Sequence, residues 1–115
     1  MRLTVKDPPR EFTVGAAADV VLRDCMTVGL EPGESAVIAN DNETAAWPVQ
    51  CRRWGFAVPV PLNRPIGRAG LRAVIAGRDA DSLHLLLVDP AKARAFEDYA
   101  AREGMSVVAW LSEGG

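Results

Sequence analysis

Eight prolines punctuate this chain and bound several of its regular elements. Prolines stand at positions 8, 9, 32, 48, 59, 61, 65 and 90. Each has a fixed φ and no backbone N–H, so it ends a strand, opens a turn or sits in the first turn of a helix. The elements that they bound are expected to be short. Residues 1–11 read as a loose leader or edge strand stopped by Pro8-Pro9, and Phe12 and Val14 can add a short strand. From Val20 to Leu30 an apolar face (Val20, Leu22, Met26, Val28, Leu30) alternates with a mixed one, the pattern of half-buried β structure. Asp24 breaks that face and marks a bend between two short strands. Glu31-Pro32-Gly33-Glu34 carries the type II turn signature, so Ser35–Ala39 is expected to return as a hairpin partner. Asn40-Asp41-Asn42-Glu43 is a second turn. Ala46–Phe56 reads as a third strand, near an edge or a bulge because of Pro48.

Pro59 and Pro61 end that strand. Asn63 as N-cap, Pro65 in the first turn and Gly70 at the C-terminal end predict a helix of about two turns, weakened by Gly67. Leu71–Ala76 reads as a strand, Gly77–Asp81 as a hairpin loop, and Leu-rich Ser82–Val88 as a central strand. Asp89-Pro90 is the clearest helix start in the sequence. Ala95, Phe96, Tyr99 and Ala100 form the expected core stripe of that helix, and Gly104 ends it. Met105–Leu111 is a last strand, and residues 112–115 a frayed tail. The fold class is α+β. One mostly antiparallel sheet is expected in a single domain over residues 1–115, ordered N-terminal β-meander, short helix, β-hairpin, C-terminal helix and strand. The 90–103 helix packs on one face.

The 115 residues suit one domain. With 49 % hydrophobic and 24 % charged residues, the chain has the means to bury a core, which excludes disordered, collagen-like and coiled-coil classes. No apolar run approaches the roughly 18 residues of a membrane span, and the N-terminus has no signal-peptide pattern. The expected compartment is the cytoplasm, with Cys25 and Cys51 as free thiols.

Charge is unevenly spread. Residues 1–50 hold four basic and eight acidic groups, residues 79–115 three and seven, and residues 51–78 hold six arginines and no acid. The segments sum to −4, −4 and +6. In Cys51-Arg52-Arg53-Trp54-Gly55-Phe56, two arginines beside two aromatics can hold an anion and stack a ring. Alternatively the aromatics plug the core and the arginines are solvated. Arg64, Arg68 and Arg72 recur at i, i+4 and i+8. They form an anion site, or a solvated basic face, or pairs with the acidic flanks.

No nucleotide-binding glycine motif is present, and one histidine with two distant cysteines gives no metal-ligand spacing. Neither a cofactor nor a metal is expected. Asp79-Ala-Asp81 has the form of an acid–x–acid metal motif but falls in a Gly-containing turn, where Asp makes local hydrogen bonds. His84 lies among leucines on a strand and reads as a packed residue.

The stretch Arg53-Trp54-Gly55-Phe56 through Pro59, Asn63-Arg64 and Gly70-Leu71-Arg72, with Val108-Ala109-Trp110-Leu111 near the end, resembles a small bacterial family of uncharacterised proteins. Its pattern is W-G-F-x-x-x-P-x-x-N-x-R-L-x-x-x-G-L-R, then a hairpin, a helix and V-x-W-L. The resemblance spans residues 20–112. Asn63 directly precedes Arg64, whereas the family's asparagine stands one place earlier, and Pro65 replaces a helix former. The resemblance implies a setting in surface polysaccharide or flagellin glycan synthesis, and no reaction.

Together these features point to a non-catalytic binding or accessory protein. The expected ligand is an anionic small molecule, such as a nucleotide sugar or acidic sugar, or an acidic patch on a biosynthetic enzyme. Arg53, Arg64, Arg68 and Arg72 supply charge, Trp54 and Phe56 a stacking or apolar wall, and Asn63 a directional hydrogen bond. The alternative is a small enzyme acting on a sugar or nucleotide through Asp79, Asp81 or His84. The net charge of −2 speaks against nucleic acid.

Overall fold

The computed structural model describes residues 1–112. Antiparallel strands predominate, and the helical part is one short α-helix preceded by a 3₁₀ turn. The chain divides into two compact units: Met1–Ser35 with Gln50–Ala57, and Ala36–Val49 with Val58–Gly115.

In the first unit, strand β1 (Arg2–Val14) pairs antiparallel with β2 (Val20–Gly29) as a two-stranded ribbon. The leader is thus not loose. Its prolines are accommodated where the register shifts between Val5 and Arg10, a stretch of strand that needs no ladder donors. The shift has a second effect. Val5 faces Met26 and Arg10 faces Asp24, so five steps in β1 match two in β2. An odd excess of three residues reverses the alternation of faces. Leu3 and Val5 before the bulge therefore share a face with Phe12 and Val14 after it. Asp24 marks no break, because β2 is continuous through it. Its carboxylate is paired with Lys6, and Arg10 Nε lies 3.9 Å away.

The Glu31–Glu34 turn forms as expected, with Gly33 at φ +95° and the Glu34 N–H donating to Glu31 O at 3.0 Å. It does not close a β2–β3 hairpin, however. β2 pairs with β1, whereas β3 (Ser35–Ala39) joins a separate sheet of order β3–β4–β5. The expected 46–56 strand is two strands, β4 (Ala46–Arg52) and β5 (Gly55–Ala57), folded back at Arg53-Trp54. Pro48 lies in β4, the middle strand. Cys51 exchanges backbone bonds with Gly33 and Glu34, so Gln50 and Arg52 face β5. Pro48 shares their side, and β5 stops short of it, so its missing N–H breaks no bond.

The second unit holds the main core. β6 (Arg72–Gly77) lies between β7 (Leu83–Val88) and β8 (Ser106–Trp110), antiparallel to both. Leu-rich β7, expected to be central, is an edge strand. The central place goes to the small residues of β6, where Ala73, Val74 and Ala76 are fully buried. The hairpin loop over 78–82 that joins β6 to β7 forms as expected. The main cluster is Ile66, Leu71 and Ala73, with Trp47, Leu62 and Leu87 packed against it.

The helix expected over 63–70 does not form. The segment is a pair of turns closed by reciprocal backbone bonds between Ile66 and Leu71, both 2.8 Å. Gly67, in what would be the helix interior, adopts a left-handed φ of +69°, which breaks a helix there. A Cβ at Gly67 would come within 2.9 Å of Ala46 O, so only glycine lets the loop lie against that backbone.

Asp89 caps as expected, its Oδ1 accepting from Ala91 N at 3.0 Å. Pro90–Lys92 forms the 3₁₀ turn, and α1 spans Ala93–Glu103. Gly104 ends it in the left-handed conformation, and the Met105 N–H donates to Ala100 O at 2.8 Å. The core stripe is narrower than expected. Ala100 is buried and Phe96 half-buried, but Ala95 and Tyr99 are exposed. The Phe96 ring meets Trp110 of β8 edge-on, centroids 5.9 Å apart, and this contact sets the helix face.

The tail expected to fray from Ser112 does not begin there. Ser112 is fully buried; residues 113–115 lie outside the described residues. Its Oγ accepts from Ala73 N at 2.8 Å and donates to Leu62 O at 2.6 Å, tying the loop that precedes Ile66 to β6. Ser112→Ala leaves both groups unpaired and should cost about 1–3 kcal/mol in chemical denaturation. The same change at exposed Ser106 should cost under about 0.5 kcal/mol. Equal effects at the two positions would show that Ser112 is no clamp.

Candidate functional site

The seven residues expected to bind a ligand divide between the units. Arg53, Trp54 and Phe56 lie in the first, and Asn63, Arg64, Arg68 and Arg72 in the second.

In the first unit, the β4–β5 turn forces Arg53 and Trp54 outward. An open groove of about 410 Å³ is lined by Pro32, Gly33, Arg52, Arg53 and Trp54. Trp54 is 72 % and Phe56 68 % exposed, so neither plugs the core. Cys51 is buried as a free thiol, and Cys25 is exposed and also free. The Arg52 guanidinium sits 5.9 Å from the Trp54 ring centroid and donates weakly to Gln50 Oε1 at 3.4 Å. Arg53 makes no side-chain hydrogen bond or ion pair among the described residues. Arg52 is one of the two adjacent arginines expected to be able to hold an anion, whereas Pro32 and Gly33 stand outside that expectation. The pairing of Arg52 with Arg53 is a visible signal for the first, but the approach of the Pro32-Gly33 turn is a long-range contact with no local signature.

An adjoining groove of about 250 Å³ includes Glu34 and Arg52. Glu34 accepts from Glu31 N at 2.8 Å, and one of its oxygens lies 3.0 Å from the Met1 amino group. The Glu31 N–H first, and the Met1 ammonium second, hold its carboxyl below the usual range. This carboxylate is thus occupied by its own partners.

In the second unit, Asn63, Arg64 and Arg68 are exposed on the double turn, and the arginines have no side-chain partners among the described residues. The i, i+4 argument for a shared face falls with the helix that would have produced it. Arg72 is not a surface group. It is half-buried in β6, 4.4 Å from the Trp110 ring centroid, with one terminal nitrogen donating to Ser112 O at 3.2 Å. Its Nε is buried without a partner among the described residues. Arg78, the last of the six, donates through Nε to Glu103 O at 2.9 Å and through a terminal nitrogen to Glu103 Oε1 at 3.1 Å. It serves the carboxyl end of α1.

Asp79 and Asp81 are exposed turn residues, with Asp79 Oδ1 accepting from Asp81 N at 2.8 Å. His84 faces Ala76 across β6–β7 and is exposed rather than packed. Among the described residues, no three His, Cys, Asp or Glu side chains gather where a metal ion could be held. No described helix is long and apolar enough to cross a membrane.

Comparisons with protein-family models, with curated proteins and with solved structures returned no match to this chain.

Arg72 and Arg53 should separate cleanly in a stability measurement. Arg72→Ala removes a stacked cation and a hydrogen bond and should cost about 1–3 kcal/mol in urea unfolding. Arg53→Ala should stay within about 0.5 kcal/mol of the parent. A neutral Arg72→Ala would mean that Arg72 is a ligand-facing group after all.

Proposed function

We propose that this chain is a small non-catalytic binding protein that takes an anionic ligand at the β4–β5 turn. The observation that carries this reading is the groove in which Arg52, Arg53 and Trp54 stand together, with Arg53 uncommitted. Guanidinium forks suit phosphate or carboxylate oxygens. The exposed indole offers a flat face to a base or a sugar ring. A nucleotide sugar presents both chemistries, and an acidic sugar presents the second in smaller form. An acidic surface on a biosynthetic enzyme would use the same arginines. The family resemblance supports an accessory role in bacterial carbohydrate-polymer synthesis, in the cytoplasm where nucleotide sugars are used. Asn63, Arg64 and Arg68 add a second set of uncommitted groups.

Two charge-assisted bonds of about 1.5–3 kcal/mol each, one from Arg52 and one from Arg53, place the affinity between several millimolar and tens of micromolar. Exposed arginines contribute toward the low end. Titration with a uridine-diphosphate sugar, followed by tryptophan fluorescence and calorimetry, should give saturable binding. Arg53→Ala should weaken it about tenfold or more, and Asp79→Asn with Asp81→Asn should leave it unchanged. Unaltered binding by the Arg53 variant, or no binding of nucleotide sugars and acidic sugars at millimolar concentration, would refute the reading.

A further inference from the structure

The β1–β2 ribbon is amphipathic, and nothing within its own unit covers its apolar face among the described residues. The register sets Leu3 opposite Val28 and Val5 opposite Met26 at one end, and Phe12 opposite Leu22 and Val14 opposite Val20 at the other. Directly opposed residues share a face, and the odd bulge in β1 puts both blocks on the same one. The reverse face carries Thr4, Thr27, Glu11, Arg23 and Thr13, with exposed Val21 as its apolar member. Leu3, Val5, Val20, Leu22 and Met26 are between 41 % and 67 % exposed. These side chains put on the order of 500 Å² of apolar surface into water, the upper end of what a monomer carries as one patch. A two-stranded ribbon with no further strand is also marginal by itself, and β1 and β2 pair only with each other.

We propose that this face is the contact surface of a homodimer, in which the ribbons of two copies pack face to face about a twofold axis running along the ribbon. Two observations favour a second copy of this chain as the occupant. The first is area: two such faces together bury about 1,000 Å², the least that a specific interface requires. The second is charge. Midway between the apolar blocks, Arg10 and Asp24 stand opposite one another, with Lys6 on Asp24. Rotation about an axis along the ribbon sets each Arg10 over Asp24 of the partner subunit and each apolar block over its own counterpart. The result is an isologous contact in which Arg10 and Asp24 alternate at the centre, beside the Lys6 that is paired with each Asp24. A twofold axis across the ribbon would stack Arg10 on Arg10 and is disfavoured. An unrelated apolar partner would have to supply the same charge pattern.

Sedimentation velocity of the full chain between about 1 and 200 µM should show a concentration-dependent dimer. Leu22→Arg places a charge in the apolar block twice per dimer and should raise the dissociation constant about 100-fold or more. Thr13→Arg, on the reverse face, should leave it within about threefold. Far-UV circular dichroism on each variant verifies that the strands remain. A parent chain that stays monomeric throughout this range overturns the proposal whatever the variants do. A dimer that survives Leu22→Arg in a folded chain overturns it as well.

Discussion

The backbone of Ala73 and the hydroxyl of Ser112 form the bond on which the second unit is organised. Ala73 lies in β6, which has neighbours on both sides, and its carbonyl and amide are both taken by the segment after β8. The same hydroxyl holds Leu62 O, so one buried side chain joins the central strand, the end of β8 and the loop that carries Asn63, Arg64 and Arg68. Arg72 completes the arrangement by bonding Ser112 O and lying against Trp110. A buried polar group of this kind is costly unless each partner is in place. The core around it is therefore specific as well as apolar.

The first unit is organised on a different basis. Its ribbon is held by backbone pairing and by the Lys6–Asp24 ion pair, at a position where a carboxylate interrupts an apolar face. Lys6 as hydrogen-bond donor, then the charges of Lys6 and Arg10, hold Asp24 below the usual carboxylate range. A depressed folded value means that this contribution is present above the unfolded pKa and is lost as pH falls through the folded one. Both groups are reached by solvent, so the pair sets position more than stability. Burial of apolar surface, which stabilises most folds more than ion pairs do, is small in this ribbon, where Phe12 and Val28 are half-buried and the other valines, the leucines and Met26 are exposed.

Local chemistry was legible in the sequence and long-range geometry was not. Asp89-Pro90, Gly104, Pro32-Gly33 and the Gly77–Asp81 loop were readable because each feature acts within a few residues of itself. The faces of β1 were not readable, because an odd bulge reverses parity only once the partner strand is known. A helix over 63–70 looks sound from its cap and prolines, but Gly67 is there to let the chain approach Ala46. Leu content placed β7 at the centre, whereas the centre demanded the small side chains of β6. For the site, the acid-free window was visible as charge. Which arginines were already spent was not: Arg72 is occupied by Trp110 and Ser112, and Arg78 by Glu103, through contacts across 25 to 40 positions. What remains uncommitted among the described residues is Arg53, beside the exposed Trp54, and separately Arg64 and Arg68.

In the proposed dimer, the two units draw stability from different sources, one from a buried strand within the chain and the other from a surface that a second copy covers. Amide hydrogen exchange at about 1 µM and about 100 µM protein tests this most directly. Ala73–Ala76 should be strongly protected at both concentrations, and protection of the paired amides of β1 and β2 should rise with concentration. Ribbon amides as protected at the lower concentration as at the higher would contradict this division.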